Sequence, residues 1–184
     1  MKPRIRIKDK EFELFLPWDK DVMPQIERIA EEINHDYLGK EPTLLTVMNG
    51  AMSFCDSLLY KLVPSVKLDA IRLRSYDGTK STGTVTVEAP PKTNLKGQDV
   101  IIIEDIVDTG FTIDYAIEYV KKLGAASVRV ATLISKEEAR EVSDLKLDYV
   151  GLVIPDRFIV GHCFDYDEVG RNLYDIYALA EGSR

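Results

Sequence analysis

The chain has 184 residues, of which 45% are hydrophobic and 30% are charged, a composition typical of one globular domain. It contains 31 Asp and Glu against 24 Lys and Arg, and a net charge of −7 argues against general nucleic-acid or membrane-surface binders, which need a basic face. No apolar run approaches the roughly 18 residues that a membrane helix requires. The two cysteines, Cys55 and Cys163, form no metal-binding pattern. We therefore expect a cytoplasmic protein with reduced thiols and with neither membrane nor nucleic-acid partners.

The first third of the chain predicts a hairpin followed by two helices around a strand. Residues 4–16 alternate between polar and apolar types around a polar turn, which is typical of paired strands. Apolar residues then recur at helical spacing over 21–38, and Gly39 can end that helix. A short buried strand is predicted at 43–48, and a second helix at 52–62.

The rest of the chain alternates between strand and helix patterns. Four branched apolar residues, Val100 to Ile103, predict a strand buried on both faces, and a helical face runs from Ile113 to Leu123. The charged run KEEARE (136–141) is interpreted as a solvated face. This alternation predicts a mainly parallel, helix-covered sheet with ligands at the carboxyl ends of its strands. Further strands are predicted at 66–76, 84–88, 127–135 and 149–155.

Acidic residues follow the strand at 100–103. Glu104 and Asp105 come directly after it and Asp108 three residues later, although grouped carboxylates repel one another and lose hydration when buried. Such a pair can accept hydrogen bonds from neighbouring sugar hydroxyls and can help to hold Mg²⁺. It also favours positive charge that develops on a sugar carbon. Two adjacent acids alone would suit a strand end that is merely capped or solvated, but the acids together with the turn that follows them indicate a sugar-binding site.

The turn that follows the acids has the features of a phosphate cradle. Gly110 permits a tight backbone path, and the amides of residues 108–112 are expected to be donors at the positive end of a helix. Thr109 and Thr112 add hydroxyl groups. The loop contains no lysine and lacks the GxxxxGK[ST] spacing, which argues against a nucleotide-triphosphate P-loop.

The stretch VIIIEDIVDTGFT (100–112) resembles the phosphoribosyl-pyrophosphate (PRPP) motif of type I phosphoribosyltransferases, in the form found in the 6-oxopurine branch, the hypoxanthine-guanine phosphoribosyltransferases. The resemblance covers most of the chain, from about Leu44 to Leu179. It implies an α/β fold, the type I phosphoribosyltransferase fold, with a mainly parallel twisted sheet flanked by helices. A single domain over 1–184 is expected, with a small hood from about 1–20 and 150–184.

The same resemblance implies roles for the motif. Glu104 and Asp105 are expected to hold the ribose hydroxyls and the metal, and Asp108 is expected to act as the general base at the purine N7. Phe111 stands where a polar or charged residue is frequent in the family, which fits a contact through its amide. The residues expected to hold the 5′-phosphate are Thr109, Gly110, Phe111 and Thr112.

The segment PDRFIVGHCFDYDEVGR resembles the base- and metal-binding block of the family. It implies that Phe158 stacks on the base and that the backbone of Ile159 pairs with the edge of the base. It also implies that Asp165 binds Mg²⁺ and that Arg171 contacts pyrophosphate. The alternative is that Phe158 belongs to the core and that Asp165 and Arg171 form a surface ion pair.

Three further positions follow from the resemblance. Lys136 aligns with the family lysine that reads the purine O6. RSYDGTKSTG is similar to the family's mobile loop, which opens with Ser75 and Tyr76, although a plain hairpin has the same pattern. The pyrophosphate loop usually carries Lys-Gly, whereas this chain has Asn49 and Gly50. A cis peptide bond is expected before Asn49, and contacts through the backbone would tolerate the lost charge.

The resemblance therefore implies a Mg²⁺-dependent enzyme of purine salvage. Its expected substrates are PRPP and a 6-oxopurine base, hypoxanthine and guanine, and its products are IMP or GMP and pyrophosphate. A homodimer or homotetramer is expected. Two alternatives stay open, a phosphoribosyltransferase that prefers xanthine and a non-catalytic regulator of the same fold that senses nucleotides.

Overall fold

Strands and helices alternate along most of the chain. The structure is a computed structural model that describes residues 3–75 and 85–182. No helix in those two ranges is long and apolar enough to cross a membrane. A single π-helical turn (Trp18–Val22) precedes the first helix, and a 3₁₀ turn (Glu137–Ala139) follows the seventh strand. The elements are β1 (Arg4–Ile7), β2 (Lys10–Leu16), α1 (Met23–Asp36), β3 (Thr43–Met48), α2 (Met52–Leu59), β4 (Lys67–Ser75), β5 (Val85–Ala89), β6 (Asp99–Val107), α3 (Phe111–Lys122), β7 (Ser127–Ser135), β8 (Tyr149–Val153), β9 (Ile159–Val160) and β10 (Ile176–Leu179).

The central sheet has the strand order β5-β4-β3-β6-β7-β8. All of its neighbours pair in parallel except β5, which runs antiparallel to β4 at the edge. The expected mainly parallel α/β sheet is therefore confirmed. Because parallel strands end at the same edge of a sheet, the loops after β3, β6 and β7 lie side by side.

The central strand β6 is buried on both faces. Successive strand residues point to opposite sides, so Ile101 and Ile103 pack in the core under α1 and α2, whereas Val100 and Ile102 pack under α3. Each of the four is fully buried, and burying one such side chain contributes roughly 1.5–3 kcal/mol. An unbroken apolar run is therefore what this position in the sheet requires.

The strand β6 is longer than its apolar run predicts. It continues through Glu104 and Asp105 to Val107, because Ile106 and Val107 still pair with Ile134 and the last residue of β7. The expectation that the acids come after the strand is therefore wrong. They lie in its final residues, where the flanking strand holds their backbone in place.

A second, antiparallel sheet joins the two ends of the chain, with strand order β1-β2-β10-β9. Phe12 of β2 is fully buried and pairs with Ile5 on one side and Leu179 on the other. Strand β8 belongs to the central sheet, so the C-terminal segment enters this second sheet only at β9. The short β9 brings Ile159 next to Ala178.

Candidate active site

The loop between β6 and α3 forms a small concave surface at the end of the central strand. Gly110 stands at the start of the helix with a φ of 95°, a left-handed conformation that favours glycine. A cavity of about 80 Å³ lies here, large enough for a phosphate group, at the positive end of a helix of 12 residues. Its lining includes Glu104, Asp108, Thr109, Gly110 and Thr112.

This cradle is held from behind by the segment that follows the 3₁₀ turn. The amides of Glu141 and Val142 both donate to the carbonyl oxygen of Thr109, at 3.0 and 3.2 Å. A side chain on Gly110 would meet a methyl carbon of Leu145 at 2.9 Å and Cδ of Arg140 at 3.1 Å. The interpretation of KEEARE as a solvated face is wrong for Lys136, which is almost fully buried, and for Arg140, which is half-buried. The chain's topology, which sequence spacing does not show, brings Arg140 to the cradle.

The two acids at the end of β6 are poorly hydrated. Glu104 is only 6% exposed, and burial raises its pKa well above the ordinary range, with the charge of Asp105 adding to the effect. Burial also raises the pKa of Asp105. The acids accept bonds from the chain itself, Glu104 from the amide of Asp105 at 3.2 Å and Asp105 from the amide of Ile106 at 2.9 Å. Hydroxyl donors or a cation would stabilise their charged forms.

The turn after β3 lies directly against this acid pair. The peptide bond between Met48 and Asn49 is cis, as expected. Asn49 is exposed, whereas a side chain on Gly50 would lie 2.0 Å from Oδ2 of Asp105. The backbone of the turn therefore approaches the carboxylate as closely as glycine allows.

Asp165 and Arg171, the residues expected to bind the metal and pyrophosphate, lie on the same side of the sheet as the acid pair. A nitrogen of Arg171 lies 2.7 Å from Oδ1 of Asp165, and a second nitrogen donates to the carbonyl oxygen of Cys163. The charge of Arg171 lowers the pKa of Asp105, which partly opposes the effect of burial. Arg171 therefore acts on both Asp105 and Asp165 at the end of the sheet.

Lys136 connects the cradle to the segment expected to bind the base. Its side chain is almost fully buried, and Nζ lies 3.0 Å from Oδ2 of Asp108 and 3.1 Å from Oδ1 of Asp156. Asp156 received no role in the sequence analysis, although it lies inside the block that resembles the family. The sequence signal for Asp156 is its position two residues before Phe158, the residue expected to stack on the base.

Phe158 is 46% exposed and is supported by two aromatic rings. Phe12 lies behind it with ring centroids 6.3 Å apart, and Tyr166 meets it edge-on at 5.9 Å. Such contacts fix the plane of a ring while leaving part of its surface open. Ile159 is buried in β9, where its backbone faces β10.

The structure describes only some of the remaining predicted site residues. Ser75 is the last residue of β4. Tyr76 and the rest of the segment compared with the mobile loop lie outside the described residues. Phe111 is the first residue of α3 and is half-buried.

Residues 20–167 match a family model described as "Phosphoribosyl transferase domain". The chain belongs to the phosphoribosyltransferase family. It is 38% identical over 174 residues to a hypoxanthine-guanine phosphoribosyltransferase of Streptococcus thermophilus, covering 94% of this chain and 96% of that protein. It is 37% identical to a hypoxanthine-guanine-xanthine phosphoribosyltransferase of Tritrichomonas foetus, with 88% of each chain covered.

A solved structure gives the same relationship. The phosphoribosyltransferase described here superposes on a hypoxanthine phosphoribosyltransferase of Staphylococcus aureus with a TM-score of 0.86 and 31% identity. The superposition covers 94% of this chain and 93% of the other. The type I phosphoribosyltransferase fold is therefore confirmed.

Gly50→Ala tests the approach of the β3–α2 turn to Asp105. Because the new side chain would lie 2.0 Å from a carboxylate oxygen, the turn or the carboxylate has to move. We expect the rate of phosphoribosyl transfer to fall at least about tenfold, while the melting temperature changes little. Gly39→Ala is the control, since no atom lies within 4 Å of its added carbon and its positive φ affects stability alone. A near-normal rate for Gly50→Ala would contradict this account of the turn.

Proposed function

We propose that this phosphoribosyltransferase transfers 5-phosphoribose from PRPP to hypoxanthine and guanine, giving IMP or GMP and releasing pyrophosphate. The observation that carries this proposal is the pair formed by Lys136 and Asp108, whose charged atoms are 3.0 Å apart. On a 6-oxopurine, O6 and N7 are neighbouring atoms, so an ammonium donor beside a carboxylate acceptor suits that edge. The names of the relatives, hypoxanthine-guanine phosphoribosyltransferases, support the same substrates.

The end of β6 carries carboxylates, and the start of α3 that follows it is the positive end of a helix. A sugar phosphate fits this pair of opposite charges. The cradle at residues 108–112 holds the 5′-phosphate through backbone amides and threonine hydroxyls. Glu104 and Asp105 accept bonds from the ribose hydroxyls. Positive charge grows on the anomeric carbon as pyrophosphate leaves, and the two nearby carboxylates stabilise that charge in a poorly hydrated site.

The base is held between a ring and a pair of charges. Phe158 offers an open aromatic face for stacking, and the backbone of Ile159 pairs with the edge of the base. Lys136 donates to O6. Asp108 takes the proton from N7 as N9 attacks the sugar, and its ion pair with Lys136 holds the carboxylate in place for that role.

The acids also fit a magnesium ion that is held mostly by its substrate. In the described residues no group of three or more His, Cys, Asp or Glu could hold a metal by itself. Mg²⁺ in phosphate-handling sites often uses only one or two carboxylates, with phosphate oxygens and water completing its shell. Asp165, Glu104 and Asp105 are the candidate carboxylates, of which one or two would hold the ion together with the substrate. When bound, the ion would neutralise charge on the departing pyrophosphate. Arg171 and the backbone of Asn49 and Gly50 bind the same group.

Xanthine is a second candidate base because the relative from Tritrichomonas foetus is named for xanthine as well as hypoxanthine and guanine. Adenine is disfavoured, since its C6 amine is a donor and would face the three donors of Lys136. A non-catalytic regulator is disfavoured by the charge of −7, because a nucleic-acid target needs a basic surface.

We also propose that the chain forms a homodimer through the surface beside the pyrophosphate loop. Met52 and Leu68 are large apolar residues there, 50% and 56% exposed. A cavity of about 440 Å³ lies between them and includes Thr46 and Cys55 in its lining. A second copy would cover this patch through a twofold contact. The sequence is equally compatible with a homotetramer.

The function is tested by incubating the purified protein with PRPP, Mg²⁺ and one free base at a time. We expect pyrophosphate release and nucleotide formation with hypoxanthine and guanine, and none with adenine. Comparing kcat/KM for xanthine with the values for the other bases shows whether xanthine is also a substrate. Excess EDTA should abolish turnover, and added Mg²⁺ should restore it. Release of no pyrophosphate with any base would overturn the proposed function.

Asp108→Asn is expected to retain the fold and IMP binding while kcat with hypoxanthine falls roughly 10²–10⁴-fold, because the amide cannot take the N7 proton. Asp156→Asn is the matched control, since that carboxylate bonds the same lysine but is not placed at N7. Its kcat should stay within about threefold of the wild-type value. Equal losses in the two variants would remove the general-base assignment.

The dimer is tested by light scattering of the wild-type chain and of Leu68→Glu. A charge placed at the centre of an apolar contact opposes its burial, so the variant should shift from dimer to monomer at micromolar concentrations. Leu123→Glu, an exposed leucine at the end of α3, is the control and should not change the mass. A monomeric wild type, or an unchanged mass for Leu68→Glu, would refute this interface.

A further inference from the structure

Arg140 lies behind the phosphate cradle. Its Cδ is 3.1 Å from the position that a side chain on Gly110 would occupy. Its terminal nitrogen donates to Oγ of Ser135 at 2.8 Å. Ser135 is buried and pairs with Val107, the last residue of β6 before the cradle. The guanidinium therefore lies under the loop that runs from β6 into α3.

No described carboxylate lies within ion-pair distance of this guanidinium. Other half-buried arginines pair with a carboxylate, as Arg28 does with Glu32 and Arg157 with Glu13. Arg140 forms no ion pair with a described carboxylate, and its Nε is buried without a hydrogen-bond acceptor among the described residues. Keeping such a cation away from water is unfavourable unless an anion comes close.

The cradle itself contains no basic side chain. The residues from Asp108 to Thr112 are acidic, polar or apolar, and Phe111 occupies a position where the resemblance leads one to expect a polar or charged residue. Positive potential at the cradle then comes from the end of α3 and from the guanidinium beneath it. A bound phosphate is the anion that would balance this charge.

We infer that Arg140 is a positioning residue for the 5′-phosphate. It supplies a fixed positive charge under the cradle and supports the cradle at Gly110, without contacting the phosphate itself. This inference rests on the proposed function, since it assumes that a nucleotide 5′-phosphate occupies the cradle. Arg140 should therefore contribute to the affinity for nucleotides and not for the corresponding nucleosides.

The experiment compares the affinity for IMP with that for inosine, which lacks only the phosphate. By calorimetry or competition, Arg140→Gln should weaken IMP about tenfold and inosine less than about twofold. Arg140→Lys, which keeps the charge, should weaken IMP no more than about threefold. Ser135→Ala keeps the arginine but removes the hydroxyl that it bonds, so we expect an intermediate loss of affinity for IMP and none for inosine. This variant provides the test if Arg140→Gln folds poorly.

Arg28→Gln is the matched control, because it removes a half-buried arginine that bonds the backbone of β8 and should leave both affinities unchanged. Two results would overturn the inference, namely IMP affinity that is unchanged in both Arg140→Gln and Ser135→Ala, or equal losses for IMP and inosine. A wild-type protein that binds neither ligand would instead contradict the proposed function. The two failures are therefore distinguishable.

Discussion

The site is organised by two carboxylates at the end of a strand that is buried on both faces. The packing of β6 carries Glu104 out of water, and the resulting loss of hydration raises its pKa. The surrounding loops are fitted to this acid pair. Gly50 has no side chain where Asp105 needs the space. Burial raises the pKa of Asp105, and the charge of Arg171 is one of the effects that partly oppose this shift. A ligand that brings hydroxyl groups and a cation would offset the free-energy cost of keeping these carboxylates charged with little hydration.

The fold separates opposite charges across a few residues, which suits a sugar phosphate. In the proposed complex the carboxylates at the end of β6 face the ribose, and immediately afterwards the start of α3 offers a positive helix end to the phosphate. The base edge is the third component. Lys136 bonds carboxylates on both sides, Asp108 from the cradle and Asp156 from the base-binding segment. A single buried ammonium thus fixes the distance between the two halves of the site.

Much of the fold could be predicted because apolar periodicity reports burial. The bounds of β3 and β7 agree with the prediction, since most residues of each strand are buried. The extent of β6 could not be predicted, because its last residues include acids that propensity assigns to a loop. Similarly, α2 ends at Leu59, three residues before the predicted end, although the apolar pattern continues.

The same distinction applies to the candidate site. Residues 104–112 are contiguous, so their joint role can be inferred from the sequence. Arg140 and Asp156 join the site only because β7 lies beside β6 and β8 lies beside β7, a relation that spacing along the chain does not express. Phe12 supports Phe158 across an even larger separation in sequence, because the second sheet unites the two chain ends.

The uncharged residues Asn49 and Phe111 indicate how this chain distributes positive charge. Neither loop supplies a flexible cation, and the cations near the site are instead anchored. Lys136 is buried between two carboxylates, Arg171 bonds Asp165 and a carbonyl oxygen, and Arg140 bonds a serine. A charge that is already fixed loses little conformational entropy when the ligand binds, and it needs no reorganisation as charge develops in the transition state. Loops that act through their backbone alone are compatible with such a site.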